Sequence, residues 1–267
     1  TPMKIKRDFY LTQLIDRKHN RMIKIVSGIR RCGKSYLLSE LFTQHLLDEG
    51  VDRHHIIHID LDTRDNLEYR NPDACNQYVK SLIKDDNMYY LLLDEVQLME
   101  DFVSVLNGFL HIKNLDVYVT GSNSKFLSSD IVTEFRGRGD EIRVYPLSFA
   151  EIYPIYDNNW EKAWGDYTVY GGIPLVFTYK KEEDKVKYLK NLFKETYLKD
   201  IIERNRIKST EELEELLNIL ASNIGSLVNP QKLTATFKSV KKVDLSAPTI
   251  KQYLDYLQDA FFVNKVL

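Results

Sequence analysis

The chain has little cysteine. Cys32 and Cys75 are its only two among 267 residues, in no metal-ligand spacing and too few for a disulfide framework. No apolar run approaches the ~18 residues that span a bilayer, and no signal-peptide pattern is present, so the chain reads as cytoplasmic with no membrane partner. Neither sign of charge dominates: 37 basic against 39 acidic residues leave a formal charge of −2. That gives no global electrostatic case for nucleic acid, although a local patch stays open. There is no internal repeat, no low-complexity linker and no N-K-x-D guanine-reading pattern. What remains, 43% hydrophobic and 28% charged, describes an ordinary globular chain of one large domain, or a medium one with a companion.

What is present centres on one stretch. Gly28-Ile29-Arg30-Arg31-Cys32-Gly33-Lys34-Ser35 reads G-x-x-x-x-G-K-S, the pattern of a phosphate-binding loop. Glycines permit positive φ and let backbone N–H groups converge on phosphate oxygens. The helix that begins here, with Tyr36 in its first turn, adds its N-terminal amides and dipole to the candidate nucleotide site. Lys34 suits the β- and γ-phosphates, and the Ser35 hydroxyl suits Mg²⁺. The flanks agree: Met22–Val26 is a β-branched run, and Tyr36, Leu37, Leu38, Leu41, Phe42 and Leu46 recur at helical spacing. Cys32 reads as a small loop residue, with a thiol acidified by the helix start as the functional alternative.

Ahead of the loop, residues 6–19 form an amphipathic pattern with Phe9, Leu11, Leu14 and Ile15 on its apolar side; core packing is the plain role, and Phe9 or Tyr10 could line a base. After the loop helix, 55–61 alternates as a strand. Asp60, Asp62 and Asp65 then read as a solvated loop at the sheet's C-terminal edge. His54, His55 and His58 lack the further ligands of a zinc site. Pro72 opens a helix expected to run to Asn87.

The second strong signal is 88–95. A nearly continuous apolar run suits a strand buried on both faces, and it ends on Asp94-Glu95. Asp94 would join the Mg²⁺ shell opposite Ser35, and Glu95 would orient and polarise an attacking water. A helix over 99–111 and a strand over 115–120 follow. Gly121-Ser122-Asn123-Ser124 then offers Asn123 as first choice for a residue sensing the γ-phosphate, with Ser122 and Thr120 second; a helix N-cap is the plainer reading. Arg138 and Arg136 are arginine-finger candidates, in cis or in trans, against a solvated basic turn. A fifth strand is expected over 141–145, and Pro146-Leu147-Ser148 starts a helix.

Together G-I-R-R-C-G-K-S, L-L-L-D-E-V-Q, V-T-G-S-N-S and G-R-G-D-E-I-R-V-Y-P-L-S-F-A-E resemble the AAA+ class of P-loop ATPases, in the prokaryotic branch close to the STAND ATPases. The resemblance covers about residues 28–155. It implies an α/β P-loop NTPase three-layer sandwich whose parallel sheet has the order 5-1-4-3-2. It implies ATP and Mg²⁺ as ligands, Lys34 and Ser35 on phosphate and metal, Asp94 and Glu95 as the Walker B pair, and Asn123 as sensor. It does not secure Arg138. The choice of adenine over guanine rests on it. The expected domains are an ATPase over 1–155 and a helical, winged-helix-like domain over 156–267. Members of this branch commonly carry a further nuclease-like fold, so the second domain is expected to be cut off at its C-terminal end.

The last third reads as short helices over 148–156 and 159–170, a turn at 171–174, and helices over 182–205 and 211–225. Helices over 230–240 and 247–259, a turn between them and a strand over 261–267 have a winged-helix rhythm. Lys251 beside Asp255 and Asp259 is a poor footprint for phosphates. A domain that packs on the ATPase and reports its nucleotide state is therefore favoured over DNA binding. The expected activity is hydrolysis of Mg-ATP to ADP and phosphate, coupled to an unknown protein partner or another copy of the chain. A slow signalling switch, a nucleotide-dependent DNA-binding protein and a P-loop small-molecule kinase are the alternatives. Glu95 and the lack of an arginine-rich lid argue against the kinase.

Overall fold

A computed structural model of the chain describes residues 5–122, 135, 137–224, 228–241 and 245–263. The chain divides into two compact units, 1–186 and 187–267.

The first unit is built on five parallel strands: β1 (Ile23–Ser27), β2 (Ile56–Asp60), β3 (Tyr89–Asp94), β4 (Leu115–Gly121) and β5 (Gly139–Arg143). They lie in the order β2-β3-β4-β1-β5, which is the expected 5-1-4-3-2 read from the other edge. Helix α1 is Asp8–Asp16. Helix α2 (34–48) runs through a wider π-type segment, Leu37–Phe42. Helices α3 (Pro72–Leu82) and α4 (Phe102–Phe109) follow.

β3 shows why its sequence is apolar throughout. Tyr89, Leu91 and Leu93 pack into one core with Cys75, Val79 and Leu106 of α3 and α4. Tyr90 and Leu92 pack into another with Leu14, Leu37, Phe42 and Leu46 of α1 and α2. Alternate side chains serve opposite faces, so neither face can be polar. This gives three layers, helix–sheet–helix.

An ion pair sits inside this sheet. Lys24 of β1 is 0% exposed and is bonded to Asp116 of β4, 4% exposed. Tyr118 donates to the same carboxylate at 2.9 Å, and the His19 N–H at 3.1 Å. Burial pushes the Lys24 ammonium below its usual range, and Asp116 draws it back up.

Several local expectations shift. α1 is shorter than 6–19, and Phe9 is 71% exposed while Tyr10 and Leu14 are buried. The helix from Pro72 stops at Leu82 because Ile83 turns extended, at φ −81 and ψ 105. β5 starts two residues early: Ile23 pairs with Gly139 and Ser27 with Arg143, so the neighbouring strand fixes its register.

After β5 come α5 (Phe149–Ile152), opened by a capping box between Ser148 and Glu151, and α6 (Trp160–Tyr170). The helical run α7 (182–205) contains the division between the units. In the second unit α8 (Thr210–Ser222), α9 (230–241) and α10 (Ala247–Asp259) surround Leu216, Leu233, Phe237, Ile250 and Leu257. Asn229 caps α9 and Ser246 caps α10. Where a wing strand was expected, 261–263 form a turn and bends, and 264–267 lie outside the described residues. No helix among the described residues is long and apolar enough to cross a membrane.

Candidate nucleotide site

In an open parallel sheet, ligands gather beyond the C-terminal ends of the strands. The loop after β1 is shaped by backbone few residues tolerate. Gly28 has φ +146, and a Cβ there would stand 2.2 Å from the Val144 carbonyl oxygen. Gly33, at φ +101, precedes α2 in a left-handed conformation, and Arg31 is left-handed too, at φ 62. Only glycine combines such angles with such close approach at no steric cost. Lys34 is 3% exposed, and its Nζ donates to the Ile29 carbonyl at 3.0 Å, so the ammonium is folded onto the loop. Ser35 is exposed and Tyr36 half-buried. Cys32 is buried, and its Sγ–H donates to the Val144 carbonyl at 3.5 Å. Burial pushes its thiol up, against the pull of Lys34 and Arg7. The acidified thiol weighed from the sequence is therefore not what this environment makes.

The acidic strand end is tied to its neighbours. Asp94 is buried, and the Thr120 hydroxyl of β4 donates to its Oδ1. Thr120 Oγ1 in turn accepts the Glu95 N–H at 2.9 Å. Ser122 donates to Glu95 Oε2 at 2.8 Å, and Gln97 Nε2 bonds the same oxygen. From the loop, Arg30 Nε donates to Ser122 Oγ at 3.3 Å. The phosphate loop, the end of β3 and the end of β4 thus share one hydrogen-bond network. Asp60 lies beside it, in register with Asp94. Thr120 and Ser122, the second choices for a sensing residue, stand in this network; Asn123 and Arg136 lie outside the described residues.

Arg138 is exposed and sits elsewhere. Its carbonyl accepts the Ile23 N–H at 2.7 Å, at the start of β1, whereas the loop follows Ser27. About 13 Å of strand separates the two, so Arg138 does not approach the loop of its own chain.

The donor set at the loop suits Mg²⁺. That ion takes one or two protein oxygens and completes its octahedron with phosphates and water. Asp94 keeps Oδ2 beyond its bond to Thr120, and Ser35 offers a hydroxyl. Among the described residues no group of three or more His, Cys, Asp or Glu forms a self-sufficient metal cage.

One buried residue was not singled out in the sequence. Arg7 is 1% exposed. Its Nη1 donates to the Cys32 carbonyl at 2.8 Å and its Nη2 to the Tyr145 carbonyl at 2.8 Å, while Nε bonds Glu151 at 2.9 Å. Its guanidinium lies 4.6 Å from the Tyr10 ring centroid. Arg7 therefore clamps the floor of the phosphate loop to the segment after β5. Beyond it opens a cavity of about 940 Å³, lined by Phe9, Tyr10, Tyr145, Pro146, Ser148 and Ile155 among others. The lone arginine in an otherwise apolar register was the available signal; its partners lie up to 144 residues away.

Comparison with known proteins adds to this geometry. A family described as an AAA domain matches residues 20–153, and a domain of unknown function (DUF8612) matches 161–267. An uncharacterized protein of Haemophilus influenzae is 33% identical over 98% of this chain and 66% of its own length. The uncharacterized protein MJ1544 of Methanocaldococcus jannaschii is 27% identical over 90% of this chain and 55% of its own. The chain thus spans less than two thirds of the length of these relatives. Among solved structures, a Walker-type ATPase of Pyrococcus abyssi superposes with a TM-score of 0.62 at 15% identity, covering 96% of this chain and 90% of that one. That likeness is one of fold.

Proposed function

Because the chain belongs to the AAA domain family, we propose that it binds Mg-ATP at the loop after β1 and hydrolyses it to ADP and phosphate. The observation that carries this reading is the shared network at the sheet edge: Arg30 of the loop reaches Ser122, and Ser122 holds Glu95 beside Asp94. A phosphate cradle and a carboxylate able to take a proton from water are joined by hydrogen bonds.

The loop amides and Lys34 hold the β- and γ-phosphate oxygens and keep the terminal phosphorus in line with the attacking water. Glu95 accepts the water's proton as the new O–P bond forms. The bond from phosphorus to the β–γ bridging oxygen breaks, and ADP leaves with that electron pair. Glu95 then releases its proton to solvent. Mg²⁺ held by Ser35 and Asp94 supplies neutralising charge at the phosphates when bound. The cavity beyond Arg7 offers the exposed faces of Phe9 and Tyr145, to which a purine can stack, and adenine is the base we assign.

Turnover is coupled to a partner, a second copy of the chain or another protein, whose affinity follows nucleotide state. Arg7 supports this: one guanidinium bonds both the phosphate loop and the wall of the cavity. The test is phosphate release from Mg-ATP by the purified chain beside Lys34→Ala and Glu95→Gln, with ATP binding measured for all three. The parent should turn over, Glu95→Gln should bind without turnover, and Lys34→Ala should do neither. A parent that binds no nucleotide refutes the assignment.

A further inference from the structure

Gln97 is two residues from Glu95, a spacing at which helical side chains do not face each other. Here they meet because Glu95 is left-handed, at φ 52 and ψ 47, and leads directly into a tight turn over Val96–Leu98. The turn is closed by the Leu98 N–H donating to the Glu95 carbonyl at 3.0 Å. Gln97 Nε2 then bonds Glu95 Oε2 and approaches Ser122 Oγ at 3.3 Å. This fixes which way the amide points, since reversing it would set its carbonyl against a carboxylate. The consequence is an orphan: Gln97 Oε1 is buried and accepts no hydrogen bond from any described group. A buried carbonyl oxygen in that state costs free energy unless a donor arrives from outside the chain. It sits on the same amide carbon as the nitrogen that touches Glu95.

We propose that Gln97 is a positioning residue for the hydrolytic step: its amide nitrogen fixes one oxygen of Glu95, and its buried carbonyl oxygen holds the water that Glu95 polarises. The two donors on Glu95 Oε2, Ser122 and Gln97, leave Oε1 of the carboxylate to take the proton. The water then donates one hydrogen to Glu95 and the other to Gln97, which aims its lone pair at phosphorus. No bond to Gln97 is made or broken. The inference rests on the hydrolytic reading above, and the experiment separates the two.

Steady-state hydrolysis and ATP binding are compared for Gln97→Ala, Gln97→Glu, Glu95→Gln and the Glu95→Gln/Gln97→Ala pair. Gln97→Ala should lower kcat about 10- to 100-fold with ATP affinity within about twofold. In the Glu95→Gln background, where turnover is already lost, the same change should leave ATP affinity within about twofold too, because Gln97 acts on the hydrolytic step and not on binding. Gln97→Glu keeps length and shape and adds a like charge beside Glu95, among the fixed charges of Asp94 and Arg30. It should lower kcat at least as far as Gln97→Ala, because a carboxylate cannot donate a hydrogen bond to Glu95. Urea unfolding of each variant shows that the fold persists. A Gln97→Ala enzyme with unchanged kcat, or a Gln97→Glu enzyme as active as the parent, overturns the proposal while Glu95→Gln remains inactive. Undiminished turnover in Glu95→Gln overturns the hydrolytic reading itself, and this inference with it.

Discussion

Lys24→Met isolates the charge inside the sheet. Lys24 and Asp116 are 0% and 4% exposed, so both were taken from water, and each depends on the other to offset that cost. Removing one partner of such a pair typically costs about 3–5 kcal/mol. Here Asp116 keeps the Tyr118 hydroxyl at 2.9 Å and the His19 N–H at 3.1 Å, which sets the expectation at the lower end, about 3 kcal/mol. Lys24→Met/Asp116→Val removes the stranded carboxylate and frees both donors; the His19 N–H, on an exposed residue, can turn to water, but the buried Tyr118 hydroxyl is orphaned, and the pair should still cost about 1–2 kcal/mol. Adding Tyr118→Phe removes that orphan and should bring stability within about 1 kcal/mol of the parent, since apolar groups of similar shape replace a buried pair at little cost. The assay is urea unfolding followed by tryptophan fluorescence. The chain's two tryptophans, Trp160 and Trp164, both lie in the first unit, so the signal reports on the sheet. A loss below about 1 kcal/mol in Lys24→Met, or a triple variant no more stable than the single one, refutes the reasoning.

Arg7→Met strands Glu151 and two backbone carbonyls; it should cost about 3 kcal/mol in urea unfolding and weaken ATP binding by calorimetry, because the loop loses its clamp. Gly28→Ala sets a methyl 2.2 Å from the Val144 carbonyl oxygen, so nucleotide binding should be lost in a filter assay even where the chain still folds. Cys32 and Cys75 are buried and both thiols are pushed up, that of Cys75 to about 11. Neither should react with a disulfide reagent at pH 8 until urea is added. Tyr90 is pushed up to about 12 by burial, and Tyr118 is raised by burial too. Tyrosine in the unfolded chain loses its proton near pH ~10. The stability the Tyr90 proton confers is complete below that pH and lost as pH rises through about 12. Unfolding midpoints should therefore fall over that interval, and fall less in Tyr90→Phe.

What the sequence disclosed was local. The loop signature needs eight consecutive residues and correct flanks, and the apolar run into Asp94-Glu95 needs only that β3 be covered on both faces. The strand order came through family likeness, because nothing in single strands says which neighbour they choose. β5 slipped by two residues because Ile23 pairs with Gly139, a partner more than a hundred residues away. Arg7 was passed over for the same reason: its bonds to Cys32, Tyr145 and Glu151 span 25 to 144 residues. Gln97 stood in plain view within the quoted motif, but its contact with Glu95 exists only because the backbone there is left-handed, which no side-chain pattern announces. Phe9 misled because its place beside Leu11, Leu14 and Ile15 points to the core, whereas its side chain is exposed.

The left-handed backbone at Glu95 has an evolutionary side. Glycine and asparagine rest there more comfortably than glutamate does, yet neither can take a proton from water. Under the proposed mechanism, backbone relaxation and turnover therefore favour different residues at one position. Asp94, Lys34 and the loop would be untouched by such a change. On that proposal, a descendant that binds nucleotide without turning it over lies a single substitution from this chain, on the slope that stability alone would choose.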